Sequence, residues 1–175
     1  MKQFMIHHAR PESHEESSHP TMQTSKECII LRGVPGTGKT HVANMVFKDH
    51  VHCSADNFFE RLALESGTSY VHVFEPHLLS KAHAECFNDF LMALEEGKNV
   101  VIANTNMQHW EFQNYLDAAR IMGYESRVLV FKARTRQQLR AFWRRNTHGV
   151  PWEIVEKMWE NFEPHSQDEE AETDV

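Results

Sequence analysis

The sequence predicts an α/β fold: a three-layer sandwich with a central parallel sheet of about four strands, covered at one end by an arginine-rich helical lid. Three observations carry this expectation. Short apolar runs of β type alternate with helical patterns between Glu27 and Glu163, as in a parallel sheet with crossover helices. The first run leads into Gly33-Val34-Pro35-Gly36-Thr37-Gly38-Lys39-Thr40, which matches G-x-x-x-x-G-K-[ST] in full. A stripe of positive charge follows late in the chain, with eight Lys and Arg against one acid, Glu125, from Arg120 to Arg145.

Taken in order, Cys28–Leu31 is the first strand, and helix follows the glycine loop from Lys39 to Phe47. Val51–Ser54 is a second strand ending just before Asp56, with helical pattern over Phe58–Glu65 and a loop over Gly67–Glu75. Leu78–Leu94 reads as a long amphipathic helix stopped by Gly97. Asn99–Ala103 is a buried strand that ends in Asn104-Thr105-Asn106. Trp110–Met122 is helical and is stopped by Gly123; Arg127–Phe131 is a strand; Arg136–Asn146 is the basic helix. After a break at His148-Gly149-Val150-Pro151 comes a last helix, Trp152–Phe162, with Pro151 suited to its first turn.

The domain boundaries follow from composition. The chain has 175 residues and a net charge of −7, enough for one compact domain with tails. Residues Arg10–Lys26 are rich in Ser, His, Glu and Pro and nearly free of large apolar side chains, and 1–26 is expected to form a disordered arm. The folded part is expected over 27–163, and an acidic disordered tail over 164–175, which holds five acids and no Lys or Arg. The body is thus near neutral, and the overall acidity does not exclude a nucleic-acid substrate, because a local basic patch decides phosphate binding. Cys28, Cys53 and Cys86 have no metal-type spacing and read as buried thiols of a reducing compartment. No apolar run reaches ~18 residues and Met1–Arg10 does not have the form of a signal peptide. A cytoplasmic or otherwise intracellular protein with no membrane partner is expected.

The glycine loop implies a nucleoside triphosphate, ATP with Mg²⁺, and the fold of a P-loop NTPase. Glycines allow backbone angles that let successive N–H groups point at phosphate oxygens, and the helix starting at Lys39 adds its positive end. Lys39 is placed to meet the β and γ phosphates and Thr40 to offer its hydroxyl to Mg²⁺. Chance coincidence of the four fixed positions arises in well under about 1% of chains this long.

The loop does not name the acceptor. Asp56 lies beyond the carboxyl end of the second strand, where open α/β sheets bind ligands, and can take a proton from an attacking hydroxyl; equally, Asp is a favoured helix cap. Asn104-Thr105-Asn106 ends the neighbouring strand and reads first as a polar turn that caps the next helix. Arg136, Arg140 and Arg144 share one helix face with Arg145 beside them, opposite Leu139 and Phe142 or Trp143. Such a stripe suits a lid over phosphates, where stabilising spread negative charge is most of the catalysis. His83, Glu85, Asn88 and Asp89 read as an ordinary solvated face. Trp143, Trp152 and Trp159 read as packing rather than base stacking.

The order LRGVPGTGKT, CSADNFF, VVIANTN, RRNTHGVP resembles the polynucleotide 5′-kinase family, the P-loop kinase domain of bacteriophage end-healing enzymes and its stand-alone relatives. The resemblance covers roughly Glu27–Glu163. It implies ATP-dependent transfer of the γ-phosphate to a 5′-hydroxyl end of RNA or DNA. It further implies that Lys39 and Thr40 hold triphosphate and Mg²⁺, that Asp56 is the general base, and that Arg140, Arg144 and Arg145 belong to the lid. The chain departs from the family pattern at Asn57 and Ala103, where relatives often carry acids, and has Arg61 as the basic residue nearest Phe59. Those departures keep two alternatives open, a kinase of a small hydroxyl compound or nucleoside and a non-catalytic ATP-binding module. The C-terminal Glu172-Thr173-Asp174-Val175 also has the form of a peptide that adds to a sheet edge in a PDZ-type domain.

Overall fold

The computed structural model describes residues 26–171. The expected arm, apart from Lys26, and the PDZ-type peptide Glu172–Val175 lie outside the described residues. Strands β1 (Glu27–Arg32), β2 (Val51–Cys53), β3 (Val100–Ile102), β4 (Glu125–Val130) and β5 (Asp168–Glu170) form one sheet in the order β2-β3-β1-β4-β5. Every pairing is parallel. The helices are α1 (Lys39–Val46), α2 (Asp56–Ser66), α3 (Tyr70–Val73), α4 (Leu79–Glu95), α5 (His109–Ile121), α6 (Arg136–Arg145) and α7 (Trp152–Glu160). Among the described residues no helix is long and apolar enough to cross a membrane.

Strand β1 reads as an unbroken apolar run because both its faces are covered. Cys28 and Ile30 point to one side, where they join Val100, Ile102 and Val128 under α4 and α5. Ile29 and Leu31 point to the other, with Val101 and Phe131 under α1. Helix α4 buries Ala82, Cys86, Phe90, Ala93 and Leu94, which recur at helical spacing on one face. The three cysteines are free and buried, and burial raises their thiol pKa values.

Two expectations are corrected. The stretch Gly67–Glu75 contains the short helix α3 rather than loop throughout, seated on α2 by an edge-on contact of Tyr70 with Phe59 at 5.7 Å between ring centroids. The stretch expected as a disordered acidic tail contributes a fifth strand instead. Val128, Leu129 and Val130 pair with Asp168, Glu169 and Glu170, and each of those acids meets an arginine: Arg32 at 2.6 Å, Arg127 at 2.7 Å and Arg134 at 2.6 Å. Backbone pairing is indifferent to side-chain type, so a run with no apolar residues can still close a sheet edge when its charges are matched.

Candidate active site

The loop between β1 and α1 is folded around its lysine. Lys39 Nζ donates to the Gly33 carbonyl at 2.7 Å and the Val34 carbonyl at 3.0 Å. Thr37 Oγ1 donates to Val34 O at 2.9 Å. Burial lowers the Lys39 pKa to about 8, and the charge of Asp56 opposes that shift. Gly38 stands at the N-cap of α1 with φ 96°, and no side chain caps the helix. Among the described residues its first N–H groups and the buried ammonium have no anionic hydrogen-bond partner, and as a set of positive groups they fit phosphate oxygens. Thr40 is exposed in the first turn, so its hydroxyl is open to a cation.

Asp56 is the first residue of α2, and the N-cap position belongs to Ala55. The capping reading of this aspartate therefore does not hold: its carboxylate is taken up by residues outside α2. Oδ1 accepts a 2.6 Å hydrogen bond from Tyr70 Oη and lies 3.6 Å from His148 Nδ1. Burial works against the charged carboxylate, but His148, Tyr70 and Lys39 outweigh it and hold the Asp56 pKa below the usual carboxylate range. Conversely, Asp56 raises the His148 pKa above its ordinary value against burial.

The triplet after β3 braces these loops rather than capping α5, whose N-cap is Gln108. Asn104 Oδ1 accepts from the Ala55 N–H at 2.8 Å, which sets the start of α2 and with it Asp56. The Thr105 carbonyl accepts from Gly33 N–H at 2.9 Å. Asn106, at φ 50°, donates from Nδ2 to the Leu31 carbonyl at 2.9 Å. One short turn thus fixes the glycine loop and the aspartate relative to each other.

Helix α6 lies on the glycine loop. A Cβ at Gly36 would stand 2.0 Å from the Phe142 carbonyl oxygen and 3.2 Å from the Asn146 nitrogen. Leu139 and Phe142 are fully buried and Trp143 is partly exposed, so the packing side is the one expected, with Phe142 rather than Trp143 as the anchor. The arginine stripe divides. Arg136 pairs with Glu156 of α7, and Arg140 lies over the Trp152 ring at 5.4 Å. Arg144 and Arg145 are exposed in the last turn, nearest the loop, with the Arg145 guanidinium 5.1 Å from the Phe142 ring centroid. The tryptophans pack as expected: Trp143 meets Trp152 edge-on, and Trp159 donates to Ala133 O at 2.8 Å. Arg61 is held by Glu85 and Glu65.

Sequence reasoning missed Tyr70 and His148 as neighbours of Asp56. His148 lies inside the RRNTHGVP segment that it singled out, but only tertiary contact shows that this turn reaches α2.

A family model described as an AAA domain matches residues 28–165. NEDD4-binding protein 2 of Homo sapiens is 29% identical over 144 residues, which cover 77% of this chain and 8% of that protein. The chain thus spans less than a tenth of that relative's length. Among solved structures, the Pnkp1/Rnl/Hen1 RNA repair complex contains a chain similar at a TM-score of 0.59 and 18% identity, covering 85% of this chain and 46% of that one. Chaetomium thermophilum Kti12, in complex with ADP-AlF3, is similar at a TM-score of 0.51 and 12% identity, covering 82% of this chain and 88% of that one. At these identities the likeness is one of fold.

Proposed function

This chain belongs to the AAA domain family and has a P-loop kinase-like fold, and from that premise we propose that it is an ATP-dependent kinase acting on the 5′-hydroxyl end of RNA or DNA. The observation that carries the proposal is geometric: the segment of the basic helix lies on Gly36 of the lysine-bearing loop through the Phe142 carbonyl and reaches the Asp56 carboxylate through His148 at 3.6 Å.

In this reading Gly33–Thr40 cradles the triphosphate, with the N–H groups of Val34, Pro35-flanked Gly36, Thr37 and Gly38 turned to its oxygens. Lys39 exchanges the Gly33 and Val34 carbonyls for the β and γ phosphates. Thr40 would hold Mg²⁺, which when bound supplies charge neutralisation to the phosphates. Asp56, ionised at neutral pH, takes the proton of the acceptor hydroxyl. The acceptor oxygen bonds to the γ-phosphorus, and the bond from that phosphorus to the β,γ-bridging oxygen breaks, its electron pair leaving with ADP. Arg144 and Arg145, with Arg140 behind them, stabilise the charge spread over the transferring group. The nucleic-acid end as acceptor draws support from the resemblance of the motifs and from the fold likeness to a chain of an RNA repair complex. A small hydroxyl compound is the second reading. It is favoured by Asn57 and Ala103, which stand where the family pattern often has acids.

The test combines purified protein, γ-labelled ATP and Mg²⁺ with 5′-hydroxyl RNA and DNA oligonucleotides. Transfer of label to the 5′ end is expected, with loss of ATP binding in Lys39→Ala and a fall in kcat of about 10²–10⁴ in Asp56→Asn. No transfer to any oligonucleotide overturns the nucleic-acid acceptor, and transfer to a nucleoside or polyol instead establishes the second reading. Undiminished transfer in Asp56→Asn removes that residue as the base.

A further inference from the structure

We propose that His148 is a positioning residue that clamps the Asp56 carboxylate while the lid is seated on the glycine loop, leaving the second carboxylate oxygen to the acceptor. The proposal rests on the reading of Asp56 as the base.

Two groups converge on Oδ1 of Asp56. Tyr70 Oη donates at 2.6 Å, and His148 Nδ1 stands at 3.6 Å, within ion-pair reach. Among the described residues nothing hydrogen-bonds Oδ2, and the side chain keeps 45% of its surface exposed. A carboxylate fixed through one oxygen has a defined direction for the other, which is what proton transfer from a bound hydroxyl requires.

His148 is itself held in place. Its ring meets the Tyr70 ring edge-on with centroids 4.2 Å apart. Its backbone N–H donates to Asn146 Oδ1 at 3.1 Å, and Asn146 Nδ2 donates to the Val150 carbonyl at 3.0 Å. Gly149, at φ +69°, places the turn against Val71 of α3. Six residues upstream, the Phe142 carbonyl lies on Gly36. The segment Phe142–His148 therefore touches the donor loop with one end and the acceptor-side aspartate with the other. Seating of the lid on the glycine loop and alignment of Asp56 are one event, so the base is aimed only when the donor side is closed.

The charge of His148 gives the clamp a pH dependence. The groups that act on its imidazole are Asp56 and Glu60 of α2, the Tyr70 phenol of α3 and Lys39 of α1. The two acids raise its pKa, whereas burial and Lys39 oppose them, and the net shift is upward. The ionic part of the contact is thus present between the lowered Asp56 pKa and the raised His148 pKa and is lost as pH rises through the latter. Asp56, with a lowered pKa, is charged throughout that range. A step of the alkaline limb below the loss of the Lys39 ammonium near pH 8 belongs to His148.

The experiment measures kcat and the KM for ATP across about pH 5.5–9 for the full chain and two variants. His148→Ala is expected to lower kcat about tenfold with the ATP KM nearly unchanged and to leave only the alkaline step of Lys39 near pH 8. His148→Asn, which keeps a neutral donor near the Nδ1 position, is expected to recover part of kcat with the same single alkaline step. Full kcat, or an alkaline profile identical to wild type, in His148→Ala overturns the proposal. The imidazole of His148 is also titrated by NMR with no substrate present, in the wild-type chain and in Asp56→Asn. A lower pKa in the variant supports the clamp; an unchanged one overturns it. Should the wild-type chain phosphorylate no oligonucleotide, the acceptor reading fails, and this substrate-free titration alone decides whether the clamp exists.

Discussion

Arg32 has no exposed surface, and its guanidinium is engaged on every side. Nε donates to Asn106 O at 2.7 Å, and Nη2 to Met107 O at 3.0 Å and Glu163 O at 2.8 Å. Nη1 meets Asp168 at 2.6 Å, and the Phe112 and Phe162 rings lie 4.4 and 4.6 Å from the guanidinium carbon. A buried cation is tolerable only when it is paired and hydrogen-bonded, and here a planar fork ties two loops and β5 together. Replacing it by alanine is expected to cost about 3–5 kcal/mol, read as a fall in the urea midpoint. A variant within 1 kcal/mol of wild type would show that the cage contributes little. This arginine was visible in the sequence as a charge ending an apolar strand, one residue before the glycine loop. Its partners were not visible, because they come from positions 74 to 136 residues away.

At the scale of elements, the site depends on how α6 meets the glycine loop. Gly36 and Gly38 both have positive φ, at 80° and 96°, so alanine at either is strained by roughly 1 kcal/mol. Only Gly36 also faces backbone at 2.0 Å; Gly38 has nothing within 4 Å of its absent Cβ. Gly36→Ala is therefore expected to push α6 off the loop, raising amide exchange over residues 142–146 at least about tenfold, a fall of ~1.4 kcal/mol in the free energy of opening. Gly38→Ala is expected to leave that exchange nearly as it was. Equal exchange in the two variants would mean that the lid does not rest on Gly36. The motif itself places glycine at these positions; that one of them also makes room for α6 is a matter of tertiary packing.

For the whole molecule, the last strand decides how the sheet is closed. Asp168 pairs with the buried Arg32, whereas Glu169 and Glu170 pair with exposed Arg127 and Arg134. Solvent screens the exposed pairs to about 0.2–1 kcal/mol each, but removal of Asp168 leaves an unmatched buried charge. Asp168→Ala is expected to destabilise by about 3 kcal/mol, and Glu169→Ala or Glu170→Ala by under ~1 kcal/mol, losses that salt diminishes. Three equal losses would contradict a buried anchor for β5. The sequence by itself determined the α/β class, the order of the first four strands along the chain, the glycine loop and the basic helix. Each of these is written in local periods and in a motif whose residues act on their immediate backbone. Only the tertiary structure decided the fifth strand, the use of Asn104–Asn106 as a brace, and the meeting of Asp56 with Tyr70 and His148. Those depend on charge matching and hydrogen bonds between residues far apart in the chain, which leave no periodic trace in the sequence and exist only once the sheet has brought its loops to the same end.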